Sequence, residues 1–231
     1  MMETVRYSAA DVEVGNHFMR WGLNLDTIWS TLIAGAIVLI FGLLIARRAT
    51  AGVPTGPQLA WETLVSTIED QVEGGLGMKT APFVVPLAIA LFAFILIANW
   101  LEIIPAHGAL PSPTGDINLP LALATVVIIW VHVWGSRRRG AWNYWKHFFS
   151  PLTLIEELPK PVTLTLRLFG NLFAGALMIE LIGLFPAYVS WAPNVIWKLF
   201  DMFIGAMQAF IFALLTIQYF SGARDMADGG H

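Results

Sequence analysis

The sequence predicts an all-α membrane protein, and three observations carry that prediction. Hydrophobic residues make up 57% of the chain and charged residues only 13%, which is unusual for a soluble globular domain. Five apolar stretches approach or exceed the length of about 20 residues that a helix needs to cross a bilayer. The basic residues are clustered and form no continuous face, so we expect no nucleic-acid partner.

The first three spans are predicted from uninterrupted apolar runs. "IWSTLIAGAIVLIFGLLIA" covers 28–46 without a charge, and it follows a segment that lacks the basic start of a cleaved signal peptide, so we expect a retained anchor. The second span, 82–104, has its prolines near its start, where proline is best tolerated. The third span, 117–135, ends before the basic cluster 137–139.

Two more spans, 162–185 and 194–220, are long and apolar but carry two charged residues each, and we expect them to be tilted. Between the first two spans, residues 58–74 place apolar side chains on a helical period and acidic ones elsewhere, which predicts an amphipathic interfacial helix. We therefore expect one polytopic membrane domain over 1–231.

The distribution of lysine and arginine predicts the orientation. The basic loops fall on one side of the five-span arrangement, which places the N-terminus outside and the C-terminus in the cytoplasm. The chain has no internal repeat at a fixed period, which weighs against transporters built from inverted repeats. It also has no cysteine, which excludes disulfides and thiolate metal sites.

Ionisable residues inside spans usually line a water cavity, pair with each other or mark an ion path. Arg167 shares a helix face with Asn171, four residues later. If the last two spans are antiparallel neighbours, Arg167 lies level with Gln208, and Glu180 lies near Asp201 toward the outside. This arrangement predicts two offset half-channels with a positive charge between them.

A structural role is an alternative to a functional one for several of these polar residues. Glu156 and Glu157 mark the inside end, where a position near a helix start explains acidic residues as well as a channel role does. His132 is expected to be an interfacial histidine rather than a ligand. For Arg167 the functional interpretation is favoured, because no acid lies one turn away on its own helix. Its counter-charge must come from elsewhere, such as another subunit.

Three segments, "PKPVTLTLRLFGNLFAG", "SPTGDINLPLALA" and "MQAFIFALLTIQYF", resemble signatures of subunit a of the F-type ATP synthase. The similarity runs from about Trp21 to Ala223, and it is closest to actinobacterial members. The resemblance implies that Arg167 faces a ring of c subunits, keeps each passing carboxylate ionised and blocks a direct proton short-circuit. The other residues to which it assigns roles in proton translocation are Asn171 and Gln208 beside the arginine, Glu156 on the cytoplasmic side, and Asp116 and Asn118 toward the opposite entrance.

The chain departs from the family pattern at two positions. It has Ala176 where many members have glutamate or histidine, and Asp201 where some have histidine. Since Glu180 follows Ala176 by one turn on the same face, we expect Glu180 and Asp201 to form the outer relay. Their proximity would raise the proton affinity of one of them.

The resemblance also implies the setting of the protein. Its partners would be the c-ring, the peripheral-stalk subunit b, other ATP synthase subunits and the lipid bilayer of a prokaryotic plasma membrane. The chain has no phosphate-binding loop and no nucleophile constellation, so we expect ATP chemistry to belong to other subunits and no cofactor to be needed. Two alternatives stay open: a secondary ion antiporter, which would work without a rotor, and a non-conducting membrane anchor.

Overall fold

The computed structural model describes residues 25–48, 56–101, 117–139, 141–148, 150, 153, 155, 157 and 159–228. Its helices in chain order are α1 (Leu25–Arg48), α2 (Pro57–Gly75), α3 (Val84–Leu101), α4 (Asn118–Arg139), α5 (Ala141–Phe148), α6 (Pro159–Gly183) and α7 (Ala187–Asp228). No strand occurs among these residues. The helices α1, α3, α4, α6 and α7 are long and apolar enough to cross a membrane, which confirms the predicted all-α membrane fold.

The helix α7 is longer than the sequence predicted. A turn was expected through 186–193, whereas the turn is confined to 184–186 and the helix runs through Pro193 to Asp228. Pro193 is the seventh residue of this helix, where its missing N–H removes the hydrogen bond to the carbonyl of Val189, yet the helix continues on both sides of it. The 42 residues of α7 span about 63 Å, twice the hydrocarbon thickness of a bilayer.

The core of the bundle is built around α7, which packs against α3, α4, α6 and α2. Its buried Phe212, Ile217 and Phe220 lie in one apolar cluster with residues of the other helices, including Val84 and Leu164. The first helix, α1, packs on α3 and is the least buried of the five long helices. The helices α6 and α7 also pack on each other, and both carry exposed apolar side chains.

The contact between α3 and α7 is close because of a glycine. The Asn99 amide donates a hydrogen bond to the Gly205 carbonyl at 3.1 Å, and the Trp100 indole donates to the Met202 carbonyl at 3.2 Å. A Cβ added at Gly205 would lie 3.0 Å from the Cβ of Asn99. A side chain at position 205 would therefore separate the two helices.

The amphipathic helix predicted over 58–74 is α2. Its apolar face is buried at Ile68 and Val72, whereas Glu62 and Asp70 are exposed. The Ser221 hydroxyl donates to the Gly75 carbonyl at 2.9 Å, which ties the end of α2 to α7. The amphipathic pattern thus serves packing against the bundle on one face of α2.

One end of the bundle, which we call the basic end, is where α4 and α7 finish and α6 begins. Cations on these three helix ends are Arg137, Arg138, Lys160 and Arg224. Lys160 marks the proximity of α6 and α7 there, because its ammonium lies 5.3 Å from the centroid of the Tyr219 ring. The turn between α6 and α7 lies at the opposite end.

Candidate functional site

The antiparallel register of α6 and α7 is fixed at two points. The Gln208 amide donates a hydrogen bond to the backbone carbonyl of Arg167 at 3.3 Å. Eight residues later in α6, Gly175 faces Asp201, which precedes Gln208 by seven residues; a Cβ on Gly175 would lie 3.3 Å from Oδ1 of Asp201. The expectation that Arg167 and Gln208 lie at one level is therefore confirmed.

Arg167 lies on the exposed face of α6. No carboxylate among the described residues forms an ion pair with its guanidinium. Gly170 and Ala174 lie on the same face, and no heavy atom lies within 4 Å of the position that a Cβ on Gly170 would take. Large apolar side chains are exposed along both helices, at Leu166, Phe173, Leu177 and Leu181 of α6 and at Ile196, Leu199, Phe203 and Met207 of α7. The helix pair thus presents a cation on a mostly apolar surface.

A stripe of polar groups follows α7 from the level of Arg167 toward the turn. Its members are Gln208, Asp201, Trp197 and Asn194, whose spacings of seven, four and three residues keep them on one helix face. Within the described part of the chain, Gln208 Oε1, Trp197 Nε1 and Asn194 Oδ1 are buried and have no hydrogen-bond partner. Buried polar atoms normally bond to protein or ordered water. The stripe therefore carries polar atoms along α7 from the level of Arg167 toward the turn.

Asp201 and Glu180 do not lie at one level, which corrects the expected carboxylate pair. Asp201 is half-buried against Gly175, whereas Glu180 is exposed. Five residues separate Gly175 from Glu180, so Glu180 lies about 7.5 Å farther toward the turn. In the antiparallel register that matches Arg167 to Gln208, Asp201 falls opposite Gly175 and not opposite Glu180.

The other predicted site residues are distributed as follows. Asn171 is half-buried one turn after Arg167, at the border between the exposed face of α6 and the face toward α7. Asn118 begins α4 at the end opposite the basic end and is exposed. Asp116 and Glu156 lie outside the described residues. The structure thus places Asn171 and Gln208 near the level of Arg167, Asp201 about two turns farther toward the turn between α6 and α7, and Glu180 beyond it.

A second polar cluster lies at the basic end, and sequence reasoning did not assemble it. Glu157, a buried residue, pairs with Lys160 on one oxygen, and its Oε2 lies 3.8 Å from Nε2 of His132. The other ring nitrogen of His132, Nδ1, lies 2.9 Å from the hydroxyl of Tyr144. His132 and Tyr144 are buried as well. His132 is therefore part of a buried network, not an interfacial histidine as expected.

Tyr144 reaches His132 because α4 has a glycine beneath it. A Cβ on Gly135 would lie 2.7 Å from the Tyr144 ring, a distance that no ordinary contact tolerates. Burial, and secondarily the charge of Glu157, raises the pKa of the Tyr144 phenol. The hydroxyl therefore keeps its proton at neutral pH.

The sequence offered only partial signals for this cluster. His132 lies on the periodic buried face of α4 with Ala124 and Val131, so a period count identifies it as inward-facing. Glu156 and Glu157 are adjacent and cannot be distinguished by residue type. The face that Glu157 takes depends on how the chain enters α6, because each residue turns the helix face by about 100°.

Comparison with known proteins gives a single family. Residues 28–221 match the family described as ATP synthase A chain. The chain is 46% identical over 235 residues to ATP synthase subunit a of Acidothermus cellulolyticus, covering 96% of this chain and 86% of that protein. It is 45% identical over 249 residues to ATP synthase subunit a of Mycobacterium leprae, covering 99% of each. A subunit a from Desulforamulus reducens is 37% identical over 216 residues, covering 89% of this chain and 81% of that protein.

Proposed function

This chain belongs to the family of subunit a of the F-type ATP synthase, and on that premise we propose that it conducts protons through two offset half-channels separated by Arg167. It is a multi-pass membrane protein, and we propose that the exposed face of α6 and α7 meets a rotating ring of c subunits. In this proposal proton flow past Arg167 drives rotation, and ATP chemistry takes place on other subunits.

The observation that carries the proposal is the exposed guanidinium of Arg167, which no carboxylate of the described residues pairs with, on a mostly apolar surface. An arginine at the centre of a membrane helix costs about 2.5–3.5 kcal/mol on insertion scales. No carboxylate of the described residues pairs with Arg167, so we assign its counter-charge to another chain. Gly170 and Ala174 beside it leave room for a partner helix to approach closely. A ring that carries one carboxylate per subunit at mid-depth fits this surface.

The attraction between the two charges explains how the ring would be held and released. At 4 Å a carboxylate and a guanidinium attract each other by about 4 kcal/mol at an effective dielectric constant of about 20. A deprotonated ring carboxylate is therefore retained opposite Arg167. Once protonated, it is neutral and can turn into the lipid. The same positive charge repels a proton that would pass directly between the half-channels.

We assign the outer half-channel to the polar stripe of α7. Its unpartnered atoms on Asn194, Trp197 and Gln208 would bond to water, and Asp201 would hold the proton between that water and the ring. Glu180 lies nearer the outer mouth in this assignment, and Asn118 and Asp116 would lie toward the same entrance. Asn171 and Gln208 would hold the helix faces beside Arg167 in place.

We assign the inner half-channel to the basic end, following the positive-inside rule. Glu157 is the buried carboxylate at that end among the described residues, and we propose it as the inner proton-exchanging acid. We also expect Glu156 to line the same half-channel. This assignment gives a cytoplasmic C-terminus, and with it we propose a prokaryotic plasma membrane and the peripheral-stalk subunit b as a further partner.

The test is ATP-driven acidification of inverted membrane vesicles that contain the whole complex, with Arg167→Ala compared at matched assembly. We expect pumping to be abolished and a passive leak to appear when a proton-motive force is imposed, because the barrier between the half-channels is gone. Arg224→Ala is the matched control, since Arg224 lies at the basic end and pairs with Asp225 at 3.0 Å; it should pump normally.

Tight pumping by Arg167→Ala would overturn the proposal and make the arginine structural. Ion exchange by the purified chain alone in liposomes would favour an antiporter. Full function after neutralisation of every ionisable residue within the spans would favour a non-conducting anchor.

A further inference from the structure

The cluster at the basic end joins three segments of the chain around one imidazole. Tyr144 comes from α5 and His132 from the second half of α4. Glu157 and Lys160 come from the segment 157–160 at the start of α6, which we call the α6 segment. The His132 ring also lies 4.8 Å, centroid to centroid, from the Phe148 ring of α5. The imidazole is thus enclosed by α5 on one side and by the two charges of the α6 segment on the other.

The contacts of His132 favour one tautomer. Nδ1 lies at hydrogen-bond distance from the Tyr144 hydroxyl, and Nε2 faces the Glu157 carboxylate. A neutral ring with its proton on Nδ1 would turn the lone pair of Nε2 toward the carboxylate, which is repulsive. With the proton on Nε2, the ring offers N–H to Glu157 and Nδ1 accepts from Tyr144. Because Tyr144 keeps its proton, its hydroxyl can act as that donor.

We propose that His132, oriented by Tyr144 across Gly135, is a positioning residue for Glu157: it presents its Nε2–H to the carboxylate and thereby sets the inner-side pH at which Glu157 exchanges protons. This inference rests on the proposed function, and specifically on Glu157 as the inner proton-exchanging acid. Lys160 faces one carboxylate oxygen and His132 the other, and the Tyr219 ring of α7 lies 5.3 Å from the Lys160 ammonium.

The proton exchange itself involves only Glu157 and water. During ATP-driven pumping, the ionised carboxylate takes a proton from water at the inner surface and gives it to the path toward Arg167, which returns it to the ionised form. His132 and Tyr144 keep their protons throughout. Loss of the Nε2–H would raise the proton affinity of Glu157, so its protonation would persist to higher pH.

The experiment measures the initial rate of ATP-driven acidification in inverted vesicles that contain the whole complex, as a function of external pH. In these vesicles the external medium bathes the surface that is cytoplasmic in the cell, where Glu157 is proposed to act. Each rate is divided by the uncoupled ATP hydrolysis rate of the same vesicles, which removes the pH dependence of the catalytic subunits. The variants are His132→Leu, His132→Gln and Tyr144→Phe.

We expect the falling limb of the wild-type profile to move upward by about one pH unit in His132→Leu, a tenfold change in proton affinity. His132→Gln should restore much of the wild-type profile, because its amide can present an N–H toward Glu157. Tyr144→Phe keeps the ring over Gly135 and should shift the profile in the same direction by a smaller amount, since His132 is then no longer held.

An unchanged midpoint in assembled His132→Leu would overturn the inference, and so would an unchanged midpoint in Tyr144→Phe, which removes a single oxygen and preserves the packing. Glu157→Gln separates this inference from the proposed function. If Glu157→Gln pumps with the wild-type rate and profile, the assignment of the inner site is wrong. If it alters the profile while the His132 and Tyr144 variants do not, only the positioning role is wrong.

Discussion

Asp201 depends on the absence of a side chain at Gly175. Glycine inside a helix costs about 0.8–1.0 kcal/mol relative to alanine, so α6 carries this residue against its own helix propensity. The space above Gly175 is occupied by the Asp201 carboxylate, with Oδ1 and Oδ2 at 3.3 and 3.4 Å from the position that a Cβ would take. The glycine therefore allows a carboxylate to lie between two closely packed helices.

The substitution Gly175→Ala should lower proton pumping several-fold while the complex still assembles. The added methyl group forces the Asp201 carboxylate to move by a few tenths of an ångström, whereas the helix itself gains propensity. The measurement is ATP-driven acidification at matched assembly. Gly42→Ala, in α1, is the control, because a Cβ there meets no heavy atom within 4 Å. Equal pumping by both variants would contradict a role for the position of Asp201.

At the scale of the helices, the contact between α3 and α7 at Gly205 is closer than the contact between α6 and α7 at Gly175. It combines the approach at Gly205 with two side chains of α3 that bond to carbonyls of α7. Those carbonyls belong to the helix that also carries Gln208 and Asp201. Displacement of α3 would therefore disturb the position of the site without touching it.

Gly205→Val should reduce assembly of the complex, because overpacking a well-packed contact costs about 1–3 kcal/mol. The Asn99 side chain cannot easily move away, since its amide is buried and bonds to the Gly205 carbonyl. Native electrophoresis of membranes, with the amount of subunit measured in parallel, gives the assembled fraction. Gly222→Val is the control, because it makes the same substitution in the same helix. A Cβ at position 222 meets no heavy atom within 4 Å, so the complex with this variant should assemble normally. A wild-type assembled fraction in Gly205→Val would show that α3 can move away from α7 without penalty.

The sequence predicted the helices better than it predicted the contacts between them. Hydropathy and length predicted the five spans and the amphipathic helix, because insertion into a bilayer depends on local composition. The level of Arg167 and Gln208 followed from antiparallel geometry. The pairing of Glu180 with Asp201 was wrong, because register is fixed by close packing at Gly175, which hydropathy does not report. The His132 cluster needed α5, whose eight residues are too few to be recognised as a packed helix.

Across the whole molecule, the two proposed proton-exchanging acids lie on opposite sides of Arg167. Gly175, which marks the level of Asp201, follows Arg167 by eight residues, about 12 Å along the helix. Glu157 precedes Arg167 by ten residues, about 15 Å. Their separation of roughly 27 Å is close to the hydrocarbon thickness of about 30 Å. Under the proposed function, we therefore expect neither acid to serve both aqueous sides and a proton to pass the level of Arg167 on a mobile carrier.

This separation predicts that variants at the two ends respond to different aqueous compartments. Asp201→Asn should abolish most of the dependence of pumping on lumenal pH in inverted vesicles and leave its dependence on external pH intact. Glu157→Gln should do the reverse. Glu180→Ala, farther from the level of Asp201, should slow ATP synthesis at limiting proton-motive force without causing a leak.

The measurement sets lumenal and external pH independently with impermeant buffers and records initial pumping rates for each variant at matched assembly. Arg167→Ala supplies the leaking reference, against which the tightness of the three carboxyl variants is judged. If Asp201→Asn and Glu157→Gln each alter the response to both compartments equally, the two acids share one continuous water path. The charge at Arg167 would then not divide the path, and coupling would have to arise elsewhere in the complex.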